Sequence, residues 1–266
     1  MAQPVTVTFV ETDLDALVTQ TGRIAVFVGE DAKLDPAGRR VNRLTKGAVL
    51  RLAEAKAEKA ASGDVITLAY PAGMAAQAVD VVFLPRRCTI EEARKAGVAL
   101  GRTRGDAHLT ICAGNHSRAA EISMGAALRD YGFNDHKTAE TPKDPRTVAL
   151  MCTKPDEVRT KAAPLLAVAQ GVFFTRDLIN EPANILTTTE FAKRISDMTA
   201  LGLEVEVLEE ADLEKLGMGA LLSVGHGSVS PSKVAVMQWN GGAKGTPPLA
   251  LVGRGVGFDT GGISLR

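Results

Sequence analysis

The 266-residue sequence predicts an α/β protein with a mostly parallel sheet, built as two domains. Three observations carry this. β-Branched runs alternate with helical stretches along the first half, as in βα units whose helices cover both faces of a sheet. A polar segment at 132–146 holds Pro142 and Pro145 among charges and reads as a linker. The length also exceeds the ~150 residues usual for one domain.

The elements follow in order. Val5–Val10 and Ile24–Val28 are strand-like runs. Pro36 opens a long alanine-rich stretch, 37–60, with apolar residues at helical spacing. Val65–Leu68 and Val79–Leu84 read as strands, the second stopped by Pro85. Thr89 caps a helix reaching about Arg102, with Glu91 and Glu92 in its first turn. His108–Cys112 is a short strand and Ser117–Tyr131 a helix. The strand Thr147–Cys152 falls on one side or the other of the domain boundary. Helices follow at about Pro155–Ile179, closed off by Pro182, and at Thr188–Ala200. Leu203–Leu208 is a strand and Ala211–Leu216 a short helix. Val234–Trp239 and Leu249–Val252 complete the strands. The domains expected are 1–145 and 146–266.

Composition excludes several classes. Lys+Arg and Asp+Glu both number 31, so the net charge is zero, without the basic excess of a simple nucleic-acid binder. Residues 1–160 carry a net +2 and residues 161–266 a net −2, so neither half is a polyelectrolyte. The apolar fraction of 45% is that of a globular protein. No uninterrupted apolar run approaches ~18 residues, so no membrane span is expected. The N-terminus lacks the basic-then-apolar pattern of a secretory signal. Cys88, Cys112 and Cys152 are odd in number and at least 24 residues apart. They read as reduced thiols of a cytoplasmic protein, not as a disulfide framework or a clustered zinc site.

Chemistry concentrates at the end of the chain. Leu251–Arg266 carries five glycines in sixteen residues, directly after an apolar run. Open α/β sheets bind ligands at such strand ends, and glycines let the backbone approach them. Asp259 is the one carboxylate in the last fifty residues, and a hard cation would choose it. A tight corner capped by Asp259 explains the same residues. Gly253, Gly255 and Gly257 do not space as G-x-G-x-x-G, and no phosphate-binding Walker loop is present. His226, flanked by glycines, is open to a role as base or metal ligand, or to none. His108, His116 and His136 have no partners in sequence, and solvated or helix-capping roles suit them better. No HExxH, serine elbow or Cys/His pair occurs.

Three segments together resemble the leucyl aminopeptidase (cytosol aminopeptidase) family. They are Arg176-Asp-Leu-Ile-Asn-Glu-Pro-Ala-Asn184, Leu216-Gly-Met-Gly-Ala-Leu-Leu-Ser-Val-Gly-His-Gly-Ser228, and Val252 through Arg266. They stand in the family's order and at roughly its spacing. The first 150 residues are similar in pattern to the family's macro-like N-terminal domain. The resemblance implies that an incomplete α/β catalytic domain follows it. It further implies a cytoplasmic homo-hexameric hydrolase that removes N-terminal residues from peptides, using paired Mn²⁺ or Zn²⁺. Asp259 stands at a metal-binding aspartate. Arg254 stands at the family's metal-binding lysine and Arg266 at its second lysine, which steadies the intermediate. A guanidinium offers no lone pair, so Arg254 cannot ligate as a lysine would. The family's remaining carboxylates, and an arginine that holds a bicarbonate base, belong to an Asn-Thr-Asp-Ala-Glu-Gly-Arg motif beyond these 266 residues. The expectation is therefore an aminopeptidase lineage with a polypeptide inactive by itself. The alternative is a non-catalytic assembly or ligand-binding protein derived from that family.

Overall fold

A computed structural model describes residues 5–29, 32–138, 146–253 and 255. The chain divides into two compact units, Met1–Thr175 and Arg176–Arg266.

The first unit is a three-layer α/β structure around a six-stranded sheet. Its strands are β1 (Thr6–Glu11), β2 (Arg23–Val28), β3 (Val65–Ala69), β4 (Ala78–Phe83), β5 (Leu109–Gly114) and β6 (Thr147–Cys152). They lie in the order β1-β6-β5-β2-β4-β3. Every pairing is parallel except β3 on β4. The mostly parallel sheet expected from the sequence is present here. The central strands β2 and β4 are nearly continuous apolar runs because both their faces are covered. The edge strands β1 and β3 keep exposed polar positions.

Period-2 alternation sorts the core onto two faces. Ala25 and Phe27 of β2 pack with α3 (Ile90–Arg104) and α4 (Ala119–Arg129). Ile24, Val26 and Val28 pack with α1 (Pro36–Leu44) and α2 (Ala48–Lys56) on the other side. Within the first layer α3 and α4 meet backbone to backbone. A Cβ added at Gly97 would fall on the Ile122 carbonyl oxygen, and one at Gly125 on the Arg94 carbonyl oxygen.

The expected helix over 37–60 is two helices. Lys46 and Gly47 take left-handed φ of 50° and 85° and break it. The Asn42 side-chain oxygen accepts from the Leu50 amide at 2.9 Å and so secures the first turn of α2. The expected cap at Thr89 is present as a reciprocal capping box with Glu92. Asp80, fully buried in β4, accepts from Arg23 at 2.9 and 2.6 Å and from the Thr67 hydroxyl at 2.6 Å. His116 is buried after β5. Its Nδ1 accepts from the Arg118 amide at the start of α4, and its Nε2 lies 3.3 Å from the Pro85 carbonyl.

β6 lies inside the first unit's sheet, and the two compact units divide at Thr175/Arg176. Helix α5 (Pro155–Asn180) carries the chain from one unit into the next. It is the one described helix long and apolar enough to cross a membrane by length and composition. Counting uninterrupted apolar runs missed it, because Arg176 and Asp177 interrupt its apolar stretch. Its Ala162, Ala169 and Phe173 are buried within the protein.

The second unit contains α6 (Thr188–Ser196), β7 (Glu204–Leu208), α7 (Glu210–Lys215), α8 (Gly219–Gly225) and β8 (Val234–Gln238). A 3₁₀ turn at Asp197–Leu201 takes up the end of the expected helix 188–200. β7 and β8 pair antiparallel, so among the described residues of this unit no parallel pairing occurs. Leu249–Val252 forms no strand: it pairs with no described strand, and Leu249, Leu251 and Val252 are exposed. An apolar run becomes a strand only where a ladder receives it. All three cysteines are free, Cys112 and Cys152 buried and Cys88 partly so.

Candidate functional site

The Arg176–Asn184 segment ends α5 and turns into α6. Pro182, which lacks an amide, closes α5. Its carbonyl then accepts from the Ile185 and Leu186 amides at 2.9 and 3.0 Å. Thr187 caps α6 by accepting from the Glu190 amide. Thr188 ties the same turn to the Pro231 carbonyl at 2.7 Å.

Asp177 and Glu181 of this segment are buried. A buried carboxylate needs a cation or donors. For Glu181 the partner is Arg194, whose Nη2 donates to it at 2.8 Å while its Nε donates to Glu190 at 2.9 Å. Burial works against the Arg194 charge, yet the two carboxylates outweigh it and push the guanidinium above its ordinary range. Sequence reasoning missed Arg194. The available signal was Glu190 four residues before it on one helix, next to a segment with a carboxylate to neutralise.

The second motif begins at Leu216, just past the end of α7, and contains all of α8. Leu213 is fully buried, while His226 is exposed just after α8. Among the described residues no hydrogen bond or ion pair fixes the His226 side chain as a ligand or base would need. In the glycine-rich segment, Gly255 abuts α6. A Cβ there would stand 2.5 Å from Cε1 of Phe191, so any larger residue would have to displace that ring. Arg254, Asp259 and Arg266 lie outside the described residues. Among the described residues no group of three His, Cys, Asp or Glu side chains could hold a metal ion.

Comparison with known proteins decides the lineage. Residues 173–266 match the catalytic domain of the cytosol aminopeptidase family. A probable cytosol aminopeptidase of Dinoroseobacter shibae is 56% identical over the whole chain, which covers 54% of that relative. The chain belongs to the cytosol aminopeptidase family. It spans about half the length of the curated relatives it matches. The bottromycin maturation enzyme BotP, solved in complex with Mn, matches 82% of this chain and is covered over 45% of its own. The identity is 26% and the TM-score 0.61. A mutant of tomato leucine aminopeptidase shares the fold at a TM-score of 0.69 and 17% identity, covering 87% of this chain and 50% of its own.

Proposed function

We propose that this chain supplies the N-terminal part of a metal-dependent aminopeptidase that hydrolyses N-terminal residues from peptides in the cytoplasm. The observation that carries the reading is the agreement of three motif segments, in order, with a catalytic-domain match over 173–266. In this reading a macro-like domain, completed by β6 and most of α5, precedes the first part of the catalytic domain. Homo-hexameric assembly and paired Mn²⁺ or Zn²⁺ accompany the same lineage.

The donors present here do not fit two divalent ions. Glu181 is committed to Arg194, and Arg254 cannot donate a lone pair. Asp259 alone cannot supply the several ligands each ion needs. We therefore derive no catalytic step through a metal. The second unit also exposes Leu216, Val224, Trp239, Leu249, Leu251 and Val252.

Arg254 and Arg266, at positions where the family has lysines, favour a second reading as a non-catalytic assembly or ligand-binding member. Hydrolysis of leucine amide with excess Mn²⁺ tests the two readings. The 266-residue polypeptide is expected to show no turnover, and Arg254→Lys alone to restore none. Fusing the Arg254→Lys, Arg266→Lys chain to the C-terminal half of a relative restores activity under the first reading and not under the second. Turnover by the unmodified polypeptide that vanishes on Asp259→Ala would overturn the expected inactivity.

A further inference from the structure

In the first unit, β2 leads through α1 and α2 to β3 on one side, while β5 leads through α4 to β6 on the other. β2 and β5 are neighbours, so the loops leaving their carboxyl ends part company between them. Open α/β sheets place ligands at such a switch point. A cavity of about 950 Å³ opens there, the size of a small-molecule site. The family match begins at residue 173 and leaves it unassigned.

The cavity has two kinds of wall. Its floor is apolar: Phe27, Leu84, Cys112 and Met151 are all buried. The Phe27 ring lies 5.5 Å, centroid to centroid, from the His116 ring and is inclined to it by 38°, so two aromatic rings contribute to the lining. Lys33, Arg39, Arg86 and Arg87 supply four cations to the lining. None of the four forms an ion pair with a carboxylate among the described residues. Asp35 is the one carboxylate among the described lining residues. It spends one oxygen on the Gly38 amide at 2.6 Å as the cap of α1. Among the described lining residues cations outnumber carboxylates four to one, and cations above an apolar floor favour a multiply charged anion on an apolar body. Guanidinium forks match the oxygens of a phosphate group.

We propose that this crevice binds a small phosphate ester whose flat apolar body rests on the Phe27 floor and whose phosphate meets Arg86 and Arg87.

The test is calorimetric titration of the full chain with phenyl phosphate at low ionic strength, beside phenol, benzoate and inorganic phosphate. Phenyl phosphate is expected to bind at one saturable site. The other three probes are each expected to bind at least tenfold more weakly. Both arginines are exposed, so Arg86→Ser/Arg87→Ser is expected to keep the unliganded thermal melt while weakening phenyl phosphate at least tenfold. Arg102→Ser, an exposed change on α3 away from this cavity, leaves binding as it was. Absence of saturable binding, or unchanged affinity in the double variant, overturns the site. Phenol or benzoate binding as tightly as phenyl phosphate overturns the phosphate assignment. Equal binding of inorganic phosphate overturns the role of the floor.

Discussion

Gly125→Ala tests the packing of the first unit most directly. A methyl at Gly125 would land on the Arg94 carbonyl oxygen, with the Arg94 carbonyl carbon at 3.0 Å and its Cα at 3.1 Å. Ordinary carbon contacts lie at about 3.5–4 Å. The obstacle is helix backbone, which cannot swing aside as a side chain can, so α3 and α4 must part by about 1 Å. That loosens buried Ala93, Ala96 and Ala126 together. Overpacking costs roughly 1–3 kcal/mol, and the obstacle here puts it at the upper end. Replacing a helical glycine by alanine returns about 1 kcal/mol of propensity. The net is a loss of about 2 kcal/mol. The assay is amide exchange of α4, read by mass spectrometry on the full chain, where ~2 kcal/mol means roughly thirtyfold faster exchange. Gly171→Ala is the control, because its methyl meets nothing within 4 Å in α5 and is expected not to destabilise. Unchanged or slower exchange in Gly125→Ala would refute the claimed backbone contact.

Two further outcomes follow from buried polar groups. Asp80→Ala leaves the Arg23 guanidinium, only 16% exposed, without its carboxylate and is expected to cost about 3 kcal/mol; a urea midpoint within error of the parent protein would contradict this. His116 has its pKa lowered from 6.5 by burial, against the Pro85 carbonyl and with the help of Arg86. The unfolded chain therefore takes up a proton that the native state resists. The stabilisation is complete above about pH 6.5 and is lost as pH falls from there toward the depressed native value. His116→Gln should flatten the decline between pH 7.5 and 5.5, and equal slopes in both proteins would refute the assignment.

Much of the first unit was legible in the sequence. The apolar runs of β2 and β4 mark strands buried on both faces, and Thr89 with Glu92 marks the start of α3. What escaped depends on contacts between distant residues. The break at Lys46-Gly47 lies inside a run whose composition is helical throughout. The Asp80–Arg23 pair joins strands that sequence alone does not align. β7 and β8 pair antiparallel across a connection that contains two short helices, a choice that periodicity does not encode. Leu249–Val252 has the composition of a strand and lacks a described ladder. At the candidate site the family segments were readable, whereas Arg194 as the partner of Glu181 was not. Asp259, Arg254 and Arg266 lie outside the described residues. The cationic crevice was not legible because Lys33 and Arg39 follow β2 while Arg86 and Arg87 follow β4, and only the sheet order brings the two together.

The neighbour of β1 in the sheet is β6, with Thr6 opposite Thr147. This sets a timetable for synthesis. At roughly 5–20 residues per second, the first strand leaves the ribosome about 7–30 s before the strand it pairs with. During that interval β2, β3 and β4 can already associate, while β1 presents an unsatisfied edge. A nascent chain stalled or cleaved anywhere before Thr147 therefore carries a sheet whose first strand has nowhere to dock. Quality control would meet this unit with its sheet unfinished until residue 152 has emerged, and with its core still lacking Ala162 of α5 until later.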